Sequence, residues 1–378
     1  MLQKSILHLD LDNFFVAVER LRNAQLKDKP VIIGGTAGRG VVTSCSYEAR
    51  RFGVHSAMPM RMALKLCPDA VVIRGDYDSY AKHSAVVTEI VNENAPVFEK
   101  ASVDEFYVDL TGMDKYVGCL QWSRELRTRI IKESGLPISC GLSVNKTVSK
   151  VSTNESKPNG FLRIEPGQEK EFLAPLSVRK IPSVGKVTYR KLSFMGVRTV
   201  RVLSQIPPPL LVREFGRSGL SLWKKANGID DTPVKPYRER RSLSAERTFR
   251  TDTIDVAFLR KKITETVTKL AFELRSINKL TSVVTVKIRY SDFNTYTRRQ
   301  TVAYTAHDRI LTDCALALFD RLYQRRQLIR LVGVKLEGLV HGNYQINLFE
   351  NTEEETNLLT AMDKIRNRFG ADAVRRAL

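Results

Sequence analysis

The sequence predicts an α+β chain of several domains, and three observations lead there. Its 378 residues exceed what a single ordinary hydrophobic core organises. Strand-like and helix-like periodicities alternate through roughly the first 165 residues, and composition turns helical after Pro166. Strands and helices mix again from about residue 242 onward. Hydrophobic residues at 43% and charged residues at 27% are ordinary globular usage, which disfavours collagen-like, disordered and membrane-embedded classes.

Taken in order, Ser5 to Asp12 alternates, with Leu7, Leu9 and Leu11 on one face and Ile6, His8, Asp10 and Asp12 on the other. This is a strand carrying acid on one face. Asn13 opens a helical pattern through Phe14, Val18 and Leu21, and Pro30 to Gly34 reads as a buried strand closed by Gly34-Gly35. Val41-Val42 begins another strand, leading into a helix near Tyr47. Phe98 to Leu110 reads as two strands meeting in a tight turn at Asp104 and Glu105. Ile138 to Ser143 is strand-like, and a Lys-bearing helix follows, ending in the turn Lys157-Pro158-Asn159-Gly160. The segment to about Asn227 is a small helical module punctuated by Gly185, Gly196 and Pro207-Pro208-Pro209. Thr232 to Arg241, with its prolines and mixed charge, is an extended linker. Beyond it come a helix at Ile254 to Ile277, a strand at Val283 to Tyr290, a turn at Asp292 to Asn294 and a further strand. A helix at Asp308 to Tyr323 and a strand at Leu331 to Leu336 complete this part, and the stretch after Phe349 is acidic, then helical.

Lys+Arg 61 against Asp+Glu 41 gives a net charge of +20, a field that draws polyanions and makes nucleic acid the leading partner. An anionic membrane surface is the weaker alternative. The cysteines, Cys45, Cys67, Cys119, Cys140 and Cys314, are far apart and form no Cys-x-x-Cys pair, which excludes a zinc ribbon and a disulfide framework. They read as reduced thiols. His8, Asp10 and Asp12 interrupt the only apolar stretch near the start, and no apolar run approaches a membrane span, so a cytoplasmic protein with no membrane partner is expected.

Asp10 and Asp12 share a strand face, and a hairpin tip can turn the neighbours Asp104 and Glu105 inward together. Several carboxylates in one place repel one another unless cations are bound. An oxygen-only donor set favours Mg²⁺ or Mn²⁺ over zinc, and phosphate chemistry commonly uses two such ions about 3.5 to 4 Å apart. Whether Asp12 touches metal, tunes the field or caps the following helix stays open.

Four segments, Leu9-Asp10-Leu11-Asp12-Asn13-Phe14-Phe15, Ser46-Tyr47-Glu48-Ala49-Arg50, Ser102-Val103-Asp104-Glu105 and Lys157-Pro158-Asn159-Gly160, fall in an order and spacing that resembles the Y-family DNA polymerases. The resemblance implies a right-hand polymerase: palm at 1–165 with small fingers at about 20–75, a helical thumb at 166–231, and a linker at 232–241. An α/β little finger at 242–344 and a clamp-binding peptide with tail at 345–378 follow. The activity implied is template-directed addition of deoxynucleotides to a primer 3′-hydroxyl, by two Mg²⁺ ions, with low fidelity and tolerance of damaged templates. Asp10 and Asp104 would bind both ions, Glu105 the catalytic one, and the Leu11 carbonyl the ion on the nucleotide side.

In the same reading Phe15 lies under the incoming sugar as a steric gate, and Tyr47, Arg50 and Lys157 hold the triphosphate. Ser44, taken as the start of the helix of Tyr47, adds a hydroxyl and a backbone N–H. Ile181 to Thr188 resembles a helix-hairpin-helix that meets DNA phosphate through Ser183, Gly185 and Lys186, with Ser183 in place of the usual Gly. Arg238, Arg240, Arg241, Arg247, Arg298 and Arg299 are the phosphate contacts expected in the third domain. Gln345, Leu348 and Phe349 match a bacterial sliding-clamp peptide. The expected partners are thus primer-template DNA, an incoming dNTP and the clamp, bound by a monomer. A non-catalytic adaptor of the same fold is the alternative, but it has no chemical need for Asp10, Asp104, Glu105, Phe15, Arg50 and Lys157. A two-metal cyclase or nuclease gives no reason for the helical module or the basic third domain.

Overall fold

The computed structural model describes residues 4–35, 38–115, 117–236, 239–324, 327–342, 352–370 and 373–374. The chain forms two compact units, Met1–Arg238 and Glu239–Leu378.

In the first unit the alternating segment becomes β1 (Ile6–Leu11), followed by α1 (Phe14–Arg22). A small sheet comes next, from β2 (Val31–Gly34), β3 (Val42–Cys45) and β4 (Val71–Ile73) in the order β3-β2-β4, with α2 (Tyr47–Arg51) and α3 (Met60–Leu66) between its last two strands. Helix α4 (Tyr77–Asn94) returns the chain to the main sheet, where β5 (Val97–Lys100) and β6 (Glu105–Asp109) form the expected antiparallel pair. Next come α5 (Cys119–Ser134), β7 (Ile138–Ser143), α6 (Lys146–Ser156) and β8 (Phe161–Arg163), and the sheet order is β5-β6-β1-β7-β8. Strand β1 is therefore central.

The period-2 pattern of β1 explains its two faces. Leu7, Leu9 and Leu11 join a core with Val87 and Ile90 of α4 and Leu126 and Ile130 of α5. On the opposite face His8 Nδ1 lies 2.9 Å from Thr153 Oγ1, and Ser149 Oγ donates to the Ile6 carbonyl at 2.8 Å, so α6 covers the polar side. Close approach is possible because small residues meet there. A Cβ on Gly141 would lie 2.2 Å from both the Ser149 carbonyl oxygen and Ser152 Oγ. The outer side of α6 enters another core, where Val148 and Val151 pack with Leu173, Ile181, Leu192 and Leu211 of the helical module. That module comprises α7 (Glu169–Leu173), α8 (Lys186–Phe194), α9 (Val200–Gln205), α10 (Pro208–Phe215) and α11 (Arg217–Ala226). The proline run does not break a helix; it starts α10, where the missing N–H costs nothing.

The extended segment after α11 is held along its first half. Asn145 donates to the Gly228 carbonyl at 2.7 Å, Thr147 to Asp230 at 2.7 Å, and Lys146 Nζ contacts Glu99 at 2.5 Å. Glu99 also accepts the Lys235 N–H at 2.8 Å, while Val234 is buried beside Ile6 and Tyr107.

The second unit begins with β9 (Ser242–Thr253), a strand whose polar, basic residues hid it from the periodicity reading. It continues with α12 (Val256–Ser276), β10 (Lys279–Tyr290), β11 (Thr295–Thr305), α13 (Asp308–Leu322), β12 (Ile329–Glu337), β13 (Val340–His341) and α14 (Thr352–Phe369). The sheet order is β11-β10-β12-β9. Val284, Val286 and Ile288 of β10 pack with Leu259, Ile263 and Val267 of α12 and Leu311 and Leu318 of α13. The helices cover this one face. Among the described residues no helix is long and apolar enough to cross a membrane.

Because α6 sits directly on Gly141, Gly141→Ala is expected to destabilise the first unit by about 1 to 3 kcal/mol through overpacking. A thermal melt checks this; an unchanged midpoint would show that α6 can move off β7 without cost.

Candidate active site

Asp10 and Glu105 are directly opposed across β1 and β6, so their side chains leave the same face of the sheet. The Leu11 N–H donates to the Asp104 carbonyl at 3.0 Å, which sets Asp104 beside the last residue of β1. Ser102 shapes the turn: its hydroxyl donates to Asp104 Oδ1 at 2.5 Å and accepts the Glu105 N–H at 3.1 Å. The hairpin thus sets Asp10, Leu11, Asp104 and Glu105 beside one another along paired backbone.

Two lysines from one helix and its exit meet these acids. Lys157 Nζ lies 2.5 Å from Asp10 Oδ1, and Lys150 Nζ lies 2.7 Å from both Glu105 oxygens. Burial pushes the Asp10 carboxyl up to about 6 despite Lys157, with Glu105 and Asp104 adding repulsion. The site is short of positive charge. Among the described residues no three His, Cys, Asp or Glu side chains converge on a common point; Asp10 and Glu105 each contact a lysine instead. The donor set itself, oxygen only and already holding cations, fits a hard divalent ion. Lys150 was missed in the sequence, where nothing local separates it from any other lysine on a helix. Asp12, left open there, is buried and, among the described residues, accepts three hydrogen bonds and makes no ion pair with a lysine.

Around this centre Phe15, in the first turn of α1, stacks on Tyr80 of α4 with centroids 4.3 Å apart and planes 15° apart. Tyr80 is itself fixed, donating to Glu19 at 2.7 Å. The Arg50 guanidinium sits over the Tyr47 ring at 5.1 Å. Burial, then the Asp12 carboxylate, push the Tyr47 phenol upward, so it stays a hydrogen-bond donor. Ser44 requires a correction: it lies on β3 and does not start the helix. Ser46 does, its Oγ accepting the Ala49 N–H at 3.3 Å, because the strand runs on to Cys45, three residues past the apolar pair Val41-Val42. The Lys157-Pro158 peptide is cis, and Asn159 after it has φ of 49°, a left-handed conformation that Asn tolerates.

In the helix-hairpin-helix segment the first helix is a single 3-10 turn, Val178–Lys180, and Gly185 is the N-cap of α8, which begins at Lys186. Ser183 has φ of 82°, the left-handed geometry that Gly would supply without strain. Lys225 steadies it with contacts of 3.2 Å to Ser183 Oγ and the Pro182 carbonyl.

In the second unit the register sorts the expected arginines. Arg299 is opposite Thr285 on the open face of the sheet, together with Lys287, Arg289 and Lys335. Arg247 and Arg298 are opposite Val332 and Val286, so they point to the helix-covered side, and Arg298 donates to the Arg321 carbonyl at 3.2 Å. Arg240 pairs with Glu273 of α12 at 3.1 Å, and Arg241 is exposed just before β9. Arg238, Gln345, Leu348 and Phe349 lie outside the described residues.

Three family models match parts of the chain. Residues 9–154 match the impB/mucB/samB family, residues 240–348 that family's C-terminal domain, and residues 179–230 the thumb domain described for DNA polymerase-iota. DNA polymerase IV of Dehalococcoides mccartyi (strain CBDB1) is 36% identical over 375 residues, covering 98% of this chain and 96% of the relative. DNA polymerase IV of Streptococcus pneumoniae is 37% identical over 343 residues, covering 89% and 97%. A Y-family DNA polymerase chimera matches with a TM-score of 0.79 at 25% identity, over 89% of this chain and 100% of its own. The insertion ternary complex of Dbh DNA polymerase matches with a TM-score of 0.65 at the same identity and coverage. Relatives that match almost from end to end, including the strands that oppose Asp10 and Glu105, show that the chain belongs to the Y family of DNA polymerases and is a DNA-directed DNA polymerase.

Proposed function

We propose that the chain extends a primer 3′-hydroxyl by a two-metal mechanism and does so on damaged templates with low fidelity. The observation that carries this reading is the opposition of Asp10 and Glu105 beside Asp104, each of the first two already holding a lysine ammonium. Asp10, Asp104, Glu105 and the Leu11 carbonyl would hold Mg²⁺, or Mn²⁺ in its place. Bound there, the ions would lower the pKa of the primer hydroxyl and offset charge on the triphosphate.

The protein's own groups supply binding and selection. Lys157, released from Asp10, carries its charge to the triphosphate, and Arg50 donates hydrogen bonds to it, its guanidinium set over the ring of Tyr47, whose one O–H is held by Asp12. The Phe15 ring, held by Tyr80, leaves no room for a 2′-hydroxyl. Val41, half exposed at 51%, and the small residues to Ser44 would cover the nascent pair loosely, which supports weak shape discrimination. The open sheet face with Lys287, Arg289, Arg299 and Lys335 supports a grip on duplex phosphate. Gln345 to Phe349 supports capture by a bacterial sliding clamp, and a cytoplasmic monomer meets all of these needs.

Primer extension tests this reading. Asp104→Asn is expected to lose roughly a hundredfold to a thousandfold in rate, and Phe15→Ala to gain about tenfold or more in ribonucleotide use. Full activity in Asp104→Asn would remove the metal reading.

The raised Asp10 value sets a pH dependence. Its protonated, uncharged form persists up to about 6, so the site loses a negative charge as pH falls through that value. Mg²⁺ affinity, followed by titration calorimetry, is therefore expected to rise between pH 5 and 7 by about tenfold per unit below 6; a flat profile would contradict it.

For the open sheet face, Arg289→Ala and Arg299→Ala are each expected to weaken DNA binding regardless of sequence. Each should reduce the slope of log affinity against log salt by about 1, as measured by fluorescence anisotropy. Arg247→Ala, on the helix side, should leave the slope unchanged.

A further inference from the structure

Asp12 is only 2% exposed, yet three donors from separate places reach its carboxylate. Tyr47 Oη of α2 donates to Oδ1 at 3.0 Å. Ser139 Oγ of β7 donates to Oδ2 at 2.7 Å, and the Asn159 N–H, in the turn after α6, donates to Oδ2 at 2.6 Å. Ser139 Oγ in turn accepts the Gly160 N–H at 3.3 Å, a second route into the same turn. The carboxylate therefore ties the helix of Tyr47 and Arg50 to the turn that carries Lys157.

The contrast with its neighbours decides the role. Asp10 and Glu105 each hold a lysine ammonium whose place an incoming cation can take. An ion at Asp12 would compete with a phenol at Oδ1 or with a hydroxyl and a backbone amide at Oδ2, and would weaken the hold on these groups. A carboxylate engaged in this way is suited to hold other groups in place.

We propose that Asp12 is a positioning residue for the incoming nucleotide: it fixes Tyr47 and the Lys157-Pro158-Asn159-Gly160 turn in one arrangement and takes no part in metal binding. This rests on the reading of that cradle as the triphosphate site. Asp12→Asn keeps the shape but removes the charge: with its carbonyl oxygen facing Ser139 and Asn159, its NH₂ turns Tyr47 Oη from donor into acceptor, so all three contacts lose charge assistance and the one to Tyr47 is reversed.

Single-nucleotide incorporation by the full chain on a primer-template, with Mn²⁺ binding followed in parallel by water-proton relaxation, separates the two roles. Asp12→Asn is expected to raise the dNTP KM about tenfold or more, to lower kcat less, and to leave Mn²⁺ affinity within about twofold. Ser139→Ala, which removes one donor from Asp12 at a position that holds no expected nucleotide contact, should raise KM about twofold to fivefold with Mn²⁺ affinity again unchanged. If Asp12→Asn fails to melt cooperatively, Ser139→Ala decides. An unchanged KM in the variants that fold, or a loss of Mn²⁺ affinity of about tenfold in Asp12→Asn, would overturn the proposal. No incorporation by the unsubstituted chain would overturn the polymerase reading beneath it, a failure seen before any variant is compared.

Discussion

Two carboxylates opposed on the central strands of a largely buried sheet, with a third acid at the adjoining turn, impose the electrostatic problem around which the first unit is arranged. Unit charges 4 Å apart interact by about 4 kcal/mol at an effective dielectric of 20, so such a group cannot stay fully ionised without cations. Helix α6 answers this, with Lys150 on its own face and Lys157 just past its end. The helix can bring them close only because Gly141, Ser149, Ser152 and Thr153 leave room between helix and sheet. A bulky residue at any of these contacts would move the lysines away from the acids.

The same helix also joins the site to what lies beyond it. Its first residues, Asn145, Lys146 and Thr147, hold three points of the segment from Gly228 to Pro233, and Val148 and Val151 belong to the core of the helical module. Lys146 and Glu99 form a buried pair, with side chains 8% and 4% exposed. Removing one partner of such a pair typically costs about 3 to 5 kcal/mol, because the other charge stays buried. Glu99 has a further obligation to the Lys235 amide, so the start of the extended segment cannot shift without disturbing the sheet edge. Active-site charge, helical module and linker are in this way adjusted through one eleven-residue element.

Much of this was legible in the sequence because it depends on local pattern. β1 and β7 at Ile138–Ser143 follow from the alternation of apolar and polar residue types, although every residue in both is buried, and the paired strands around Asp104 and Glu105 follow from their apolar runs and the turn between them. What escaped depends on partners remote in the chain. Lys150 meets Glu105 across 45 positions and Ser139 meets Asp12 across 127, separations at which periodicity carries no information. Ser44 was read two residues too early as the helix start, because β3 continues through polar Thr43 and Ser44 to Cys45. Among the arginines of the second unit, charge alone could not distinguish the two faces of a strand; Arg298 and Arg299 are neighbours, yet only the pairing register shows that Arg299 shares the face of Thr285 and Arg298 that of Val286. Strand β9 escaped for a related reason: Arg247 occupies a helix-side position where an apolar residue would have completed the alternation of Leu243, Ala245 and Phe249.

The C-terminal helix shows what buried charge can add where apolar pattern is thin. On α14 the buried face includes Leu359 and Met362, each worth about 1.5 to 3 kcal/mol when fully buried, and a surface with so few anchors leaves the helix free to slide or turn by a residue. Arg275 of α12 removes that freedom. Its guanidinium contacts Asp363 of α14 at 2.5 Å through Nε and 2.9 Å through Nη2, a two-pronged contact, and reaches Asp308 of α13 at 2.5 Å. Arg366, one turn further along α14, closes the group by contacting Asp363 at 3.1 Å and Asp308 at 3.9 Å. Two arginines and two aspartates from three helices balance in charge, and moving α14 by one residue would leave Asp363 and Arg366 on the wrong face while Arg275 and Asp308 stayed buried. The network therefore contributes register where the apolar contacts contribute only adhesion, and it makes α14 an integral part of the second unit.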